Sequence, residues 1–440
     1  MFKIRSRCDV RGRMNMRILV VARNLPYPVL DGYQLVTWNM VKELSSHCEF
    51  DLLASSDGRD GEGIDRVRKA FRRVELVDGR GSVPGGQWPA VGRLWSILRA
   101  RLSRLPSDVL RTRSFGMSEM LVRMLAKYSY DAVYLSAPAL AFYAPDLSSR
   151  IPTIVAPLDA RSRQIPELSR VHRGILRRVQ CWEQTAKSRW FERRFYGCAV
   201  RCIVVSEADR RALLQLGLKI PIDVVPLGVD VDRWERIEPS AQRGAHSYDL
   251  AFSGNLSYDP NLEGAQSLVT DLLPLVRRNR PGTTLAVIGA HPPESLRRQV
   301  FGDPGTILTG YVPDLAEEIA RAKVFVCPVR YGSGMRVKVM EAMAAGLPVV
   351  TYPLNVEELP AVHDEHVLVA RSPEEFVRHT TRLLNDAGTR VRLGTSARRL
   401  ILQSFSWRSS ASRMMESFRR SCGVRSSDCR LRTKELPCAG

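Results

Sequence analysis

Several things this sequence lacks narrow its function before any motif is considered. No apolar run reaches the roughly 18 uninterrupted residues that span a bilayer; the longest, 132–145, is broken by Ser136, Pro138 and Pro145. Aromatic residues make up only 7% and are not interleaved with basic runs, which argues against a nucleic-acid surface. There is no G-x-S-x-G, no Walker A loop and no Cys/His zinc spacing. The nine cysteines form no C-x-x-C pair, and Cys181, Cys198, Cys202 and Cys327 lie in apolar segments. Free, packed thiols and a reducing cytoplasm are therefore expected. The first fifteen residues carry Lys3, Arg5, Arg7, Arg11 and Arg13 but lead into no apolar core or small-residue cleavage site. This basic extension is not expected to be a secretory signal, and Met14 or Met16 is an alternative start.

What is present points to a globular, basic chain. With 440 residues, 44% hydrophobic content and a net charge of +20, it is long enough for two or three domains. From Met16 short β-branched runs alternate with helical ones: Arg17–Ala22, Glu49–Ala54, Val74–Val77, Ala132–Leu135, Thr153–Ala156, Ala199–Val205 and Ile222–Pro226 read as strands. After a polar stretch with Pro239, Ser240 and Gly244 comes a second series: Asp249–Ser253, Thr284–Ile288, Thr306–Thr309, Val324–Cys327, Pro348–Thr351 and Val367–Val369. Such alternation predicts two parallel sheets covered on both faces, in domains 16–228 and 248–405 joined by a linker over 229–247. Open α/β sheets bind ligands beyond the carboxyl ends of their strands, so a cleft between the two domains is the expected site. Residues 406–420 have helical spacing suited to crossing back to the first domain, and 421–440 read as a polar tail.

The stretch from Pro328 to Val350 carries the most chemistry. A strand ends, Gly332-Ser333-Gly334 turn the chain, and Met335–Ala345 has the helix period, which predicts a helix N-terminus at the turn. Amide groups and the dipole there suit an anion, and Arg336 and Lys338 add two cations, a charge count that fits a diphosphate. Glu341, on the same helix, is an acceptor-only group that suits a vicinal diol such as a ribose. The alternative is that Glu341 pairs with a neighbouring base and the glycines only connect strand to helix.

With its surroundings this stretch resembles the group 1 (family 4) glycosyltransferases of the GT-B fold. The matching segments are Arg17–Gly32, Val225–Asp230, Phe252–Asn261, Leu285–Gly289, Leu308–Val312 and Gly332–Val350. The resemblance implies two Rossmann-like domains and transfer of a sugar from a nucleotide-diphosphate sugar, usually with retention, with no metal and no separate cofactor. It places Gly254 under the donor phosphates and Gly289, Tyr311 and Val312 beside the base. Glu341 matches the second Glu of the family's E-x7-E motif, which holds the ribose. Three positions depart from the pattern: Ser333 replaces the first Glu, Asn255 the usual phosphate Arg, and Asn261 the usual Lys. A related subgroup reads G-S-G-x-R-x-K before the Glu, which implies that Met335 fills the variable position while Arg336 and Lys338 take over the lost charge.

In the first half, Ile151–Asp159 ends in an acid where the family often has a polar cleft residue. Asp159 is the candidate to steady developing charge at the anomeric carbon or to orient an acceptor hydroxyl; a helix N-cap is the alternative. Asp31 and Gly32 fit an acceptor-side loop after the first strand, or an ordinary turn. Asp230-Val-Asp232 mimics a D-x-D metal motif and His363-x-x-His366 a metal pair, but the first lies in the linker and the second lacks a third ligand.

Charge is uneven: residues 1–240 carry +14 and 241–440 carry +6. A helix-spaced set, Ile175, Leu176, Val179, Trp182, Ala186, Trp190 and Phe191, runs beside Arg177, Arg178, Lys187, Arg189, Arg193 and Arg194. It reads either as a membrane-surface element or as the stripe by which the helix enters the core. The expected partners are a nucleotide sugar, a glycan or lipid-linked acceptor and an anionic membrane surface on the cytoplasmic side, with no nucleic acid. Cell-surface polysaccharide or glycolipid synthesis is the expected setting. The competing readings are a GT-B epimerase or phosphorylase, which needs a pyridoxal-type Lys motif or a carboxylate or His cluster not seen here, and a basic nucleic-acid-binding protein.

Overall fold

The computed structural model describes residues 16–29, 31–56, 63–78, 103–171, 175–238, 247–332 and 334–423; of 167–171 and 175–177 only the backbone is described. The basic extension 1–15, residues 239–246 of the expected linker, Ser333 and most of the polar tail lie outside these residues. Two compact units are present, one from the start to Val225 together with the chain from Ser410 onward, the other Pro226–Ser409.

The first unit is built on seven parallel strands: β1 (Met16–Ala22), β2 (Cys48–Ser56), β3 (Arg73–Asp78), β4 (Ala132–Leu135), β5 (Thr153–Leu158), β6 (Arg201–Val204) and β7 (Ile222–Val224), in the order β3-β2-β1-β4-β5-β6-β7. β1 lies inside the sheet, with Ile18 opposite both Phe50 and Ala132. Its Ile18–Val21 run is wholly buried because helices cover both faces of a parallel sheet, so neither alternating set of side chains meets water. Each such aliphatic contributes about 1.5–3 kcal/mol of burial. On β2, burial alone would raise the Asp51 carboxyl, but the Arg72 fork at 2.8 Å and the Tyr130 hydroxyl at 2.8 Å hold it below the usual range.

Helices α1 (Gly32–Leu44), α2 (Arg161–Val171), α3 (Ile175–Phe195) and α4 (Glu207–Gln215) flank this sheet. α3 corrects one of the two readings of its sequence. Of the expected apolar stripe, only Phe191 is buried among the described side chains; Val179, Trp182, Ala186 and Trp190 are exposed. Its inner face is instead Thr185, Ser188, Phe191 and Glu192. Phe191 stacks within the helix on Phe195 at 4.5 Å between ring centroids, Phe195 stacks in turn on Phe142 outside it at 5.7 Å, and Glu192 accepts the Ser162 backbone N–H, so aromatic stacking and one backbone hydrogen bond dock a face that is otherwise polar.

The second unit has six parallel strands, β8 (Tyr248–Ser253), β9 (Leu285–Ile288), β10 (Thr306–Gly310), β11 (Ala322–Cys327), β12 (Val349–Thr351) and β13 (Leu368–Val369), in the order β10-β9-β8-β11-β12-β13. Both sheets are thus Rossmann-like, with the first strand of each unit inside and the order reversing beside it. In this unit α5 (Val231–Arg236), α6 (Asp259–Ser267), α7 (Val337–Ala344) and α8 (Ala387–Ser404) surround the sheet, and α5, α6 and α7 carry the polar residues of the candidate site. The last helix, α9 (Trp407–Gly423), leaves the second unit, and its residues from Ser410 pack in the first. There Phe418 meets Tyr134 edge-on at 5.9 Å and the Ser417 hydroxyl donates to Asp223.

Candidate functional site

In the second unit the ladder bonding of β8, β9 and β10 continues into the loops beyond their carboxyl ends. Gly254 N–H donates to Ile288, Leu256 N–H to Ala290 and Gly289 N–H to Gly310. The two glycines are required by contact: a Cβ on Gly289 would fall 1.9 Å from the Gly254 carbonyl oxygen. A Cβ on Gly254 would fall 2.6 Å from Lys338 Nζ and 2.8 Å from Asn261 Nδ2. The lysine ammonium and the Asn261 amide thus pack directly on the Gly254 backbone, in space that any side chain there would take. Past Gly310, Val312 is half-buried and Tyr311 is 70% exposed, next to the same loops.

The helix after the glycine turn starts later than its sequence period suggests. α7 begins at Val337, with Arg336 in the cap position and no side-chain cap, so the turn precedes the helix by several residues and the glycines are not its first turn. The reason is conformational: Gly332 and Gly334 have φ of 108° and 78°, which continue no right-handed helix. Arg336 folds back over this turn. Its Nη2 donates to the Gly332 carbonyl at 2.6 Å and to Tyr331 at 3.2 Å, and its Nε donates to Asn355 Oδ1 at 3.1 Å. Asn355 is itself buried and fixed through Nδ2 to the Val329 and Cys327 carbonyls. Arg336 thus shapes the loop as well as charging it. Ser333 lies outside the described residues.

Lys338 reaches the other side. Its Nζ donates to Asn261 Oδ1 at 2.5 Å and sits 4.5 Å from the Phe252 ring centroid. Asn261 Nδ2 donates in turn to the Asn255 carbonyl at 2.9 Å. The two asparagines that stand where the pattern has cations are therefore joined to a lysine from another element. Burial lowers the Lys338 ammonium from its usual 10.5 to about 8. Three residues on, Glu341 is pushed up from 4.5 to about 7 by burial, against the pull of Arg233 and Lys338. It makes no ion pair or hydrogen bond among the described residues.

Two domain models match the chain in succession: "Glycosyltransferase Family 4" over residues 30–233 and "Glycosyl transferases group 1" over 247–386. The chain belongs to the group 1 glycosyltransferases. Among solved structures, sucrose-phosphate synthase from Thermosynechococcus elongatus is similar at a TM-score of 0.67 and 16% identity, over 92% of this chain and 99% of that one. Anabaena HepE in complex with UDP and glucose gives 0.65 and 16%, over 92% and 100%. A S. aureus TarM variant in complex with fondaparinux, α-GlcNAc-glycerol and UDP gives 0.62 and 12%, over 92% and 99%. These likenesses carry the GT-B fold. No curated protein is close enough in sequence to match.

The first unit of this glycosyltransferase gathers its own polar residues at the carboxyl edge of its sheet. Asp31 caps α1 with a reciprocal box: its side chain accepts Gln34 N–H at 2.9 Å, and Gln34 Oε1 accepts Asp31 N–H at 3.1 Å. Gly32 is the first residue of α1, with nothing within 4 Å of a Cβ placed on it and no unusual φ, so it is neither a turn glycine nor a tight contact. Asp159 follows Leu158, whose φ is 62°, and stands one residue before the cap position of α2, which is Ala160, whose carbonyl accepts from Arg163 and Gln164. The charge of Asp159 is felt at the half-buried Tyr33 hydroxyl, whose pKa burial, Asp159 and Asp31 all raise. Asp31, Tyr33, Asn24 and Ser136 line a concavity there.

Of the residues read as possible metal ligands, Asp230, His363 and His366 have other partners. Asp230 accepts Arg233 N–H as the cap of α5. His363 Nδ1 accepts Val369 N–H, and His366 Nδ1 accepts Val362 N–H. Sequence reasoning missed Asn355 and Arg233. Asn355 is a lone Asn at the end of a short 3-10 turn, and Arg233 is 108 positions from Glu341, so neither had a local signal.

Proposed function

We propose that this glycosyltransferase takes its sugar from a nucleotide-diphosphate donor held in the second unit. The observation that carries the reading is the Lys338 ammonium packed on the backbone of Gly254 and tied to the asparagine that stands where the family pattern has a lysine. A diphosphate there restores the charge that burial disfavours, and its oxygens fall within reach of the Gly254 loop. Arg336 holds the Gly332–Gly334 turn in shape and adds a long-range cation. Glu341, with both carboxylate oxygens uncommitted, accepts the ribose hydroxyls, and Gly289, Tyr311 and Val312 border the base. HepE and TarM, crystallised with UDP, support a uridine nucleotide as the first donor to test.

The acceptor is a glycan or a lipid-linked glycan, met by the first unit around Asp31, Tyr33 and Asp159. Asp159 steadies positive charge at the anomeric carbon or orients the acceptor hydroxyl. Transfer proceeds with retention and without a metal: the leaving diphosphate, held by Lys338, takes the acceptor proton on the same face of the sugar. The motif subgroup with G-S-G-x-R-x-K and a role in cell-surface polysaccharide or glycolipid synthesis belong to the same reading. Thermal-shift screening against nucleoside diphosphates and their sugars tests it, since a ligand at about 100 times its Kd adds roughly 2.7 kcal/mol. A rise in Tm with one nucleotide, unaffected by chelator, is expected. No shift with any nucleotide diphosphate would refute the donor assignment.

A further inference from the structure

Helix α3 turns to solvent the face that its sequence would suit to a core. At 100° per residue, Thr185, Ser188, Phe191 and Glu192 fall on one side and are buried. Arg178, Val179, Trp182, Arg189, Trp190 and Arg193 fall away from that side and are exposed. Trp182 is 74% exposed and Val179 57%, a large apolar display that no described residue covers. The three arginines make no ion pair among the described residues. The flanking acid, Glu183, is held by Lys187 at 2.6 Å, and Glu192 is inside. The stripe therefore shows cations and rings with no competing anion over about 22 Å of helix, at 1.5 Å per residue.

We propose that this face docks on an anionic lipid surface, with Trp182 and Val179 entering the headgroup boundary and Arg178, Arg189 and Arg193 meeting lipid phosphates. An exposed helix face with several arginines can meet an array of anions, and an indole suits a boundary that is apolar on one side and wet on the other. Self-pairing of the same face would set arginines against arginines, which charge repulsion opposes. No helix among the described residues is long and apolar enough to cross a membrane, so the contact is peripheral. Docking on lipid uses none of the donor chemistry, so the nucleotide screen and the vesicle assay fail independently.

The test is sedimentation of the full chain with vesicles of phosphatidylcholine alone or mixed with phosphatidylglycerol, at low and high salt. Binding should need phosphatidylglycerol and fade as salt rises. At about 1 kcal/mol per arginine, combining Arg178→Gln, Arg189→Gln and Arg193→Gln should weaken partitioning about a hundredfold. Trp182→Ala should also weaken it and remove a blue shift in tryptophan emission on binding. All four positions are exposed, so an unchanged Tm verifies that the variants fold. Equal binding to neutral vesicles, no binding to anionic ones at low salt, or an undiminished triple variant would overturn the proposal. So would a self-association, or binding to an oligonucleotide, that the same substitutions abolish while vesicle binding is absent.

Discussion

Replacing Glu341 with Gln separates stability from function at one atom. The unfolded carboxyl ionises near 4.5 and the folded one near 7, raised by burial against the opposing fields of Arg233 and Lys338. The native state therefore holds the proton more tightly. The destabilisation this causes is absent below about pH 4.5, grows as pH rises and is complete above about pH 7. At roughly 1.36 kcal/mol per unit the ceiling is about 3 kcal/mol, and because Glu341 is half-buried the expected share is about 1–2 kcal/mol. Glu341→Gln should raise the Tm of the ligand-free protein by about 3–6 °C at pH 8 and hardly at all at pH 4, at about 2–4 °C per kcal/mol for a domain of this size. The same variant should bind nucleoside diphosphate about 10 to 100 times more weakly at pH 8, having lost a charged acceptor for the ribose. Differential scanning fluorimetry at the two pH values, with and without nucleotide, reads both effects. A variant that is less stable at pH 8, or equally stabilised at both pH values, would refute the electrostatic account of this site.

Lys338 carries the opposite sign: its ammonium is penalised below about pH 8 and relieved between there and 10.5. Lys338→Met keeps the stem against Phe252, so it should hold or raise the Tm at pH 7 while weakening diphosphate binding by about 1.5–3 kcal/mol, measured by calorimetry. Gly289→Ala should destabilise the second unit by several kcal/mol, because its Cβ meets the Gly254 carbonyl, whereas Gly32→Ala should change stability by less than about 0.5 kcal/mol; denaturant titration distinguishes them.

The two parallel sheets were legible residue by residue, because a strand buried on both faces needs an unbroken apolar run and Ile18–Val21, Leu250–Phe252 and Val324–Cys327 have one. The Gly254, Gly289 and Gly332 loops were legible as turns after such runs. Two features were not. The sequence of α3 shows a period but not which phase faces inward, and the choice was made by contacts with other elements, Phe195 stacking on Phe142 and Ser162 donating to Glu192, which the period does not encode. Likewise Arg336 and Lys338 read alike as cations at a helix start. The left-handed glycines delay the helix to Val337, turning Arg336 back onto its own loop and leaving Lys338 to cross to Asn261, 77 residues away in the chain. Composition and spacing determined which residue types stand at the proposed donor site. Which of them stays available was decided by backbone dihedrals and by partners distant in sequence, because a hydrogen bond depends on where a group lies in space and not on its distance along the chain.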